Sequence, residues 1–92
     1  MRLAWSREAL ADKEAIWHFL ADRNPDYADR TERRLEVRTG SLRQMPNQGR
    51  PSGDSGLRLL SIPDIQLVVA YRVEEDEIRI MAVRSTAQDE IR

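Results

Sequence analysis

The sequence contains no cysteine, one histidine (His18) and one lysine (Lys13), and its aromatic side chains are two tryptophans, two tyrosines and one phenylalanine. The missing cysteines exclude disulfides, thiolate metal sites and cysteine nucleophiles. A lone histidine excludes a multi-histidine metal centre and reads first as a surface residue. Apolar runs are short: the longest, Leu67 to Tyr71, is far below the about 20 residues of a bilayer span. The opening "MRLAWSRE" turns charged too early for a secretory signal, so a cytoplasmic home in a bacterium is the expectation. Neither sign of charge is in excess, with a net charge of -1. That balance disfavours a domain whose main task is neutralising phosphates.

Ninety-two residues, 40% of them hydrophobic, make one domain spanning residues 1–92 with a small core. Fourteen of the fifteen positive side chains are arginine, whose planar fork of donors suits interfaces and carboxylate or phosphate partners better than lysine does. A compositional bias of the genome explains the same fact without any function.

Along the chain, "MRLAW" alternates as a short opening strand would. Ser6 stands at an N-cap position before a helical pattern with Ala9, Leu10, Ile16, Trp17 and Leu20 on one face. Asn24-Pro25 ends that helix and starts the next, asparagine as cap and proline in the first turn. Its inward face reads Ala28, Thr31, Leu35, Thr39, Leu42 and Met45, with Gly40 interrupting the last turn and Pro46 stopping it. Asp26 with Arg30 and Asp29 with Arg33 have the i,i+4 spacing of helix ion pairs. Acids interleave with arginines throughout "DRTERRLEVR", which reads as a solvated face and a poor nucleic-acid patch.

A loop rich in glycine and proline, "PNQGRPSGDSG", leads to three strand patterns: "GLRLLSI", "IQLVVAYRV" and, after the acidic turn "EEDE", "IRIMAVRS". These form an antiparallel meander. Alternation puts Leu67, Val69, Tyr71, Val73, Ile78, Ile80 and Ala82 on the face that carries the helices. Val68, Ala70, Arg72, Arg79, Met81 and Val83 fall on the other face. An open face that is half apolar and half arginine calls for a cover, either a partner or the tail from Thr86 to Arg92.

The expected fold is therefore α+β with order β-α-α-β-β-β, a helical hairpin on one face of a mainly antiparallel four-stranded sheet. Within that order "AxxDxxxIxxF" (Ala9, Asp12, Ile16, Phe19), "NPDYA", "PNQGR", "GLRLL", "YRVEEDEIRI" and Gln88 appear in succession. This ordered set, covering nearly the whole chain, resembles the RelE/ParE family of toxins from bacterial type II toxin–antitoxin modules. The resemblance implies that Gly49 and Gly56 take positive φ. It also implies that Arg50 and Arg58 lie beside the sheet, where each meets a carboxylate or phosphate. A structural ion pair with Asp54, Asp64 or the "EEDE" turn is the alternative for both, and is the expectation for Arg50.

The family divides into RelE-like members, which cut mRNA on the ribosome, and ParE-like members, which inhibit DNA gyrase. RNA cleavage needs a proton acceptor, a proton donor and positive charge at the phosphate. The sequence has no histidine or tyrosine beyond Tyr71, and "AVRS" stands where relatives often carry a histidine. Arg72, Arg79 and Arg84 remain, and arginine stays protonated. The resemblance thus implies a ParE-like, non-enzymatic toxin with no catalytic residue, metal or cofactor. Its implied partners are a cognate antitoxin, in a toxin–antitoxin hetero-oligomer, and DNA gyrase. The alternatives are a ribosome-dependent RNase using Arg58, Arg72 and Arg84 on phosphate, or a non-toxic antitoxin-binding relative. The candidate binding residues are Arg50, Arg58, Val68, Arg72, Arg79, Met81, Arg84 and Gln88.

Overall fold

The computed structural model describes residues 1–86. Strand β1 (Arg2–Trp5) is followed by helices α1 (Arg7–Ala21) and α2 (Pro25–Gly40), then by strands β2 (Arg50–Pro51), β3 (Arg58–Ile62), β4 (Leu67–Val73) and β5 (Glu77–Ser85). The strands form one sheet of order β1-β5-β4-β3-β2. Every pairing is antiparallel except β1 with β5, which is parallel. The sheet therefore has five strands where four were expected. The additional strand, β2, is two residues long and is defined only by its pairing of Arg50 with Leu59 and Pro51 with Arg58. So short a segment has no alternation to read, and Pro51, which lacks an N–H, confines it to the sheet edge.

Both helix starts follow their capping chemistry. The Ala9 amide donates to Ser6 Oγ at 3.0 Å, and the Tyr27 amide donates to Asn24 Oδ1 at 3.2 Å. Helix α2 ends at Gly40, and the chain continues as a single 3-10 turn, Ser41–Arg43. That change of pitch keeps Leu42 fully buried but turns Met45, expected inside, out to solvent. Leu10 also departs from the expected stripe and is exposed, whereas Ala9 is buried completely. The small alanine lets α1 approach the sheet at that turn.

The core lies between the hairpin and one sheet face: Leu35 and Leu42 from the helical segment meet Leu60, Ile62, Leu67, Val69, Tyr71, Ile78, Ile80 and Val83. Each such side chain contributes about 1.5–3 kcal/mol on burial. The expected alternation holds along β4 and fails in β5. A bulge lies opposite Ala70/Tyr71, because Ala70 pairs with Ala82 while Tyr71 pairs with Ile80. Met81 is the extra residue. Beyond it the faces exchange: Val83 enters the core at 2% exposure, and Ala82 moves to the open face.

Two buried threonines sit on α2. Thr39 donates to the Leu35 carbonyl at 2.8 Å, whereas the buried Thr31 hydroxyl has no partner among the described residues. A void of about 10 Å³ adjoins it, lined by Ile16, Leu20, Leu35 and Leu67. An unpaired buried hydroxyl costs about 1–3 kcal/mol. Thr31→Val keeps the shape and is expected to raise unfolding free energy by about 1 kcal/mol, as read from urea denaturation.

One turn along α2 from Thr31, Arg34 Nε donates to Asp64 Oδ2 at 2.7 Å. This hydrogen bond, with further help from the charge of Arg38, holds the Asp64 carboxyl below its ordinary value of 3.8. A depressed carboxylate pKa adds stability above the unfolded value and loses it as pH falls through the folded one. The stability difference between the native chain and Asp64→Asn is therefore expected to be present at pH 6 and to vanish as the pH is taken below 3.8.

Candidate functional site

The register decides which of the candidate side chains share a surface. Arg72 stands directly opposite Arg79, Val68 opposite Arg84, and Ala70 opposite Ala82. Leu59 pairs with Ala70 on the far side, Arg50 with Leu59, and Ala4 with Arg79. The open sheet face thus brings together Arg50, Val68, Arg72, Arg79 and Arg84, with Leu59, Ala70 and Ala82 in its middle. Met81, at the bulge, is half-buried. Gln88 lies outside the described residues.

Arg58 does not belong to this group. It pairs with Tyr71, which places it on the helix side of the sheet. Its Nη1 donates to the Gly49 carbonyl at 2.6 Å and more weakly to that of Asn47 at 3.4 Å. Beside it, the fully buried Tyr71 hydroxyl donates to the Pro46 carbonyl at 2.7 Å and accepts from the Gly49 amide at 2.8 Å. The two side chains clamp the "PNQGR" loop onto the sheet. Gly49 is required here for space: a Cβ would come within 2.8 Å of both the Leu59 carbonyl oxygen and Tyr71 Cε1. Its φ is not positive, contrary to expectation; Gly53 and Gly56 are the glycines at positive φ.

Three arginines of the open face are bound within the chain. Arg72 Nη1 donates to the Ser55 carbonyl at 3.0 Å, steadying the turn that Gly56 permits. Arg79 pairs with Glu77 at 2.7 Å and with Glu74 at 3.6 Å. Arg84 pairs with Asp12 at 2.6 Å. The ion pair expected for Arg50 is not formed among the described residues. Its candidate Asp64 is taken by Arg34, and the acidic turn is taken by Arg2 and Arg79. Among the described residues, Arg50 is the exposed open-face candidate that makes no ion pair. The helix pairs Asp26–Arg30 and Asp29–Arg33 are also not formed, and Asp29 instead accepts from the Trp17 indole at 3.1 Å.

The more informative residue is Asp12, an acid on the buried side of α1, between Ala9 and Ile16. Past the end of β1, the outer edge of β5 has no strand neighbour among the described residues. Ser6 Oγ donates to the Met81 carbonyl at 3.2 Å, and Asp12 accepts from the Val83 amide at 3.0 Å as well as from Arg84. Asp12 therefore joins α1 to the strand edge. Asp12→Ala strands a partly buried N–H and is expected to lower stability by about 2 kcal/mol. Asp12→Asn, which keeps an acceptor, is expected to lose less than half of that; thermal melts of both variants check it. The signal in the sequence was an acid inside an apolar stripe.

A groove of about 520 Å³ opens next to this junction, between α1 and the ends of β4 and β5. Ile16, Phe19, Leu20, Leu67 and Val83 give it an apolar lining, and the Asp12–Arg84 pair lies along it. Phe19 is 53% exposed, with the Arg23 guanidinium stacked 3.9 Å from its ring. His18 is exposed on α1, its ring edge-on to Trp17. Among the described residues, no cluster of three or more histidine, aspartate or glutamate side chains is arranged to hold a metal, and no helix is long and apolar enough to cross a membrane.

This arrangement of two helices on one sheet has known counterparts. The family model described as the ParE toxin of type II toxin–antitoxin system, parDE, matches residues 3–90. The chain belongs to the ParE toxin family. The chain is also similar to Toxin RelE2 of Caulobacter vibrioides, 29% identical over 87 residues, covering 95% of this chain and 97% of that one. The solved chromosomal ParDE toxin–antitoxin system of P. aeruginosa contains a chain 31% identical, with a TM-score of 0.84, covering 92% of this chain and 95% of that one. A conserved hypothetical protein of Helicobacter pylori, 16% identical with a TM-score of 0.54 and coverage of 95% and 96%, shares the fold. This ParE-family chain is thus a toxin of a type II toxin–antitoxin module.

Proposed function

We propose that this toxin acts without chemistry of its own, by binding a protein target in the cytoplasm, and that the target is DNA gyrase. A cognate antitoxin neutralises it in a hetero-oligomer, laying an apolar face into the groove of Phe19, Leu20 and Val83. The observation that carries the reading is the state of the polar groups near the open face. Tyr71, the tyrosine nearest it in sequence, is buried on the opposite side with its hydroxyl engaged twice. Arg72, Arg79 and Arg84 are held by a carbonyl or by carboxylates, and arginine is in any case a poor proton acceptor. Such a face suits recognition better than proton transfer. The solved ParDE relative supports an antitoxin as partner.

Purified toxin added to a gyrase supercoiling assay is expected to block supercoiling, and added antitoxin to restore it. Full supercoiling at high toxin excess would overturn gyrase as the target. The likeness to Toxin RelE2 favours one second reading, a ribosome-dependent endoribonuclease. On that reading induction stops translation at once, with mRNA cleavage that disappears in the Arg72→Ala/Arg84→Ala double variant. On the gyrase reading, translation continues while the DNA-damage response rises.

A further inference from the structure

Helix α2 alternates acid and base along its sequence, "PDYADRTERRLEVRTG", yet separates them in space. Successive residues turn by about 100° around a helix. Asp29, Glu32 and Glu36 accordingly lie on the flank toward α1. There the Trp17 indole binds Asp29 at 3.1 Å, and Lys13 lies 3.8 Å from both Glu32 and Glu36. Arg30, Arg34 and Arg38 follow one another at four-residue steps on the other flank, with Arg33 and Val37 behind them. Val37 is 64% exposed. Among the described residues Asp64, bound to Arg34, is the acid that pairs with this row.

Like charges at i,i+4 repel and weaken a helix. Among the described residues that repulsion is offset by an ion pair at Arg34 alone, and Arg30 and Arg34 are exposed while Arg38 is half-buried. The Arg34–Asp64 bond at 2.7 Å shows how a carboxylate seats on this row. Arg30 to Arg38 spans about 12 Å, two turns of helix.

We infer that the Arg30–Arg34–Arg38 flank of α2 is a docking surface for an acidic protein segment, whose carboxylates meet the guanidinium row and whose apolar side chain covers Val37. A protein segment fits better than a phosphate backbone on three counts. Val37 offers apolar contact within the charged surface, Asp64 already sits in the row, and the chain as a whole carries a net charge of -1, without the excess of positive charge that drives nucleic-acid binding. The surface is distinct from the groove and from the open sheet face, so it stands whether or not gyrase is the target.

The test is fluorescence anisotropy with a labelled helical peptide carrying glutamate at every fourth position and leucine between. The Arg30→Glu/Arg38→Glu variant is expected to bind it at least tenfold more weakly than the native chain. Arg7→Glu/Arg43→Glu, which makes the same charge change elsewhere, is expected to bind within twofold of native. Melting curves check that each variant folds. Should the first variant be unfolded, Arg33→Glu/Val37→Glu at exposed positions takes its place, with the same tenfold loss expected. Equal losses in the row and control variants, or native binding by the row variant, would overturn the inference. Tighter binding of a short DNA duplex than of the peptide would also overturn it, in favour of a phosphate ligand.

Discussion

Gly49→Ala is expected to lower the unfolding free energy by about 3 kcal/mol, the upper end of what forced overpacking usually costs. The added methyl would lie 2.8 Å from the Leu59 carbonyl oxygen, 2.9 Å from its carbon and 2.8 Å from the Tyr71 ring. Two of those atoms are backbone in the sheet and cannot swing aside. If the loop retreats instead, it gives up the Tyr71 bond to the Gly49 amide and the Arg58 bond to its carbonyl. Tyr71→Phe removes the first of these without adding volume and is expected to cost about 1–3 kcal/mol, because a buried N–H and a carbonyl lose their partner. The double variant should be less destabilised than the sum of the two, since both changes loosen the same clamp. Urea denaturation of the three variants checks all of this. A Gly49→Ala variant within 0.5 kcal/mol of native would mean that the loop is not fixed against the sheet.

The second large effect concerns the groove. Phe19→Asp is expected to weaken binding of the cognate antitoxin by about 100-fold, while the melting temperature stays within 2 °C or so of native. A fully buried phenylalanine contributes about 1.5–3 kcal/mol, and a carboxylate left in its place inside an apolar contact adds the penalty of an unpaired charge. The free toxin tolerates the change because Phe19 is already 53% exposed and meets solvent on its outer side. Calorimetric titration with the antitoxin measures the affinity. Co-expression offers the cellular counterpart: the variant should stay toxic when the antitoxin is present. Unchanged affinity would move the antitoxin off this groove.

Much of this architecture was legible in the residues. Ser6 and Asn24 marked both helix starts, and β-branched alternation marked β4. The acidic turn marked the hairpin to β5, and the ordered motifs pointed to the family that the comparisons then gave. What escaped did so for identifiable reasons. Strand β2 is too short to show a period, and only the edge offered by β3 makes it a strand. The bulge at Met81 reverses the faces of the last four residues of β5, and no local pattern announces a single inserted residue. Of the candidate arginines, Arg72, Arg79 and Arg84 share a surface, but Arg72 and Arg84 are engaged by groups far away in sequence and Arg79 by Glu77 on its own strand and Glu74 across the turn. Arg58 was grouped with Arg72 and Arg84 as a phosphate ligand in the RNase alternative, although the register with Tyr71 puts it on the opposite side of the sheet from them.

Local chemistry by itself determined the elements, their order, the inward faces of α2 and β4, and the exclusion of thiol and multi-histidine chemistry. Those properties depend on residues close together in the chain: caps, periodicity and composition. The tertiary structure alone decided which charges remain available. Asp12 reaches across 71 residues to the Val83 amide, Tyr71 reaches back to a loop 25 residues earlier, and the acids and arginines of α2 part onto different flanks. A guanidinium binds whichever oxygen the fold brings to it, and that choice is made by packing at long range, where sequence spacing carries no information.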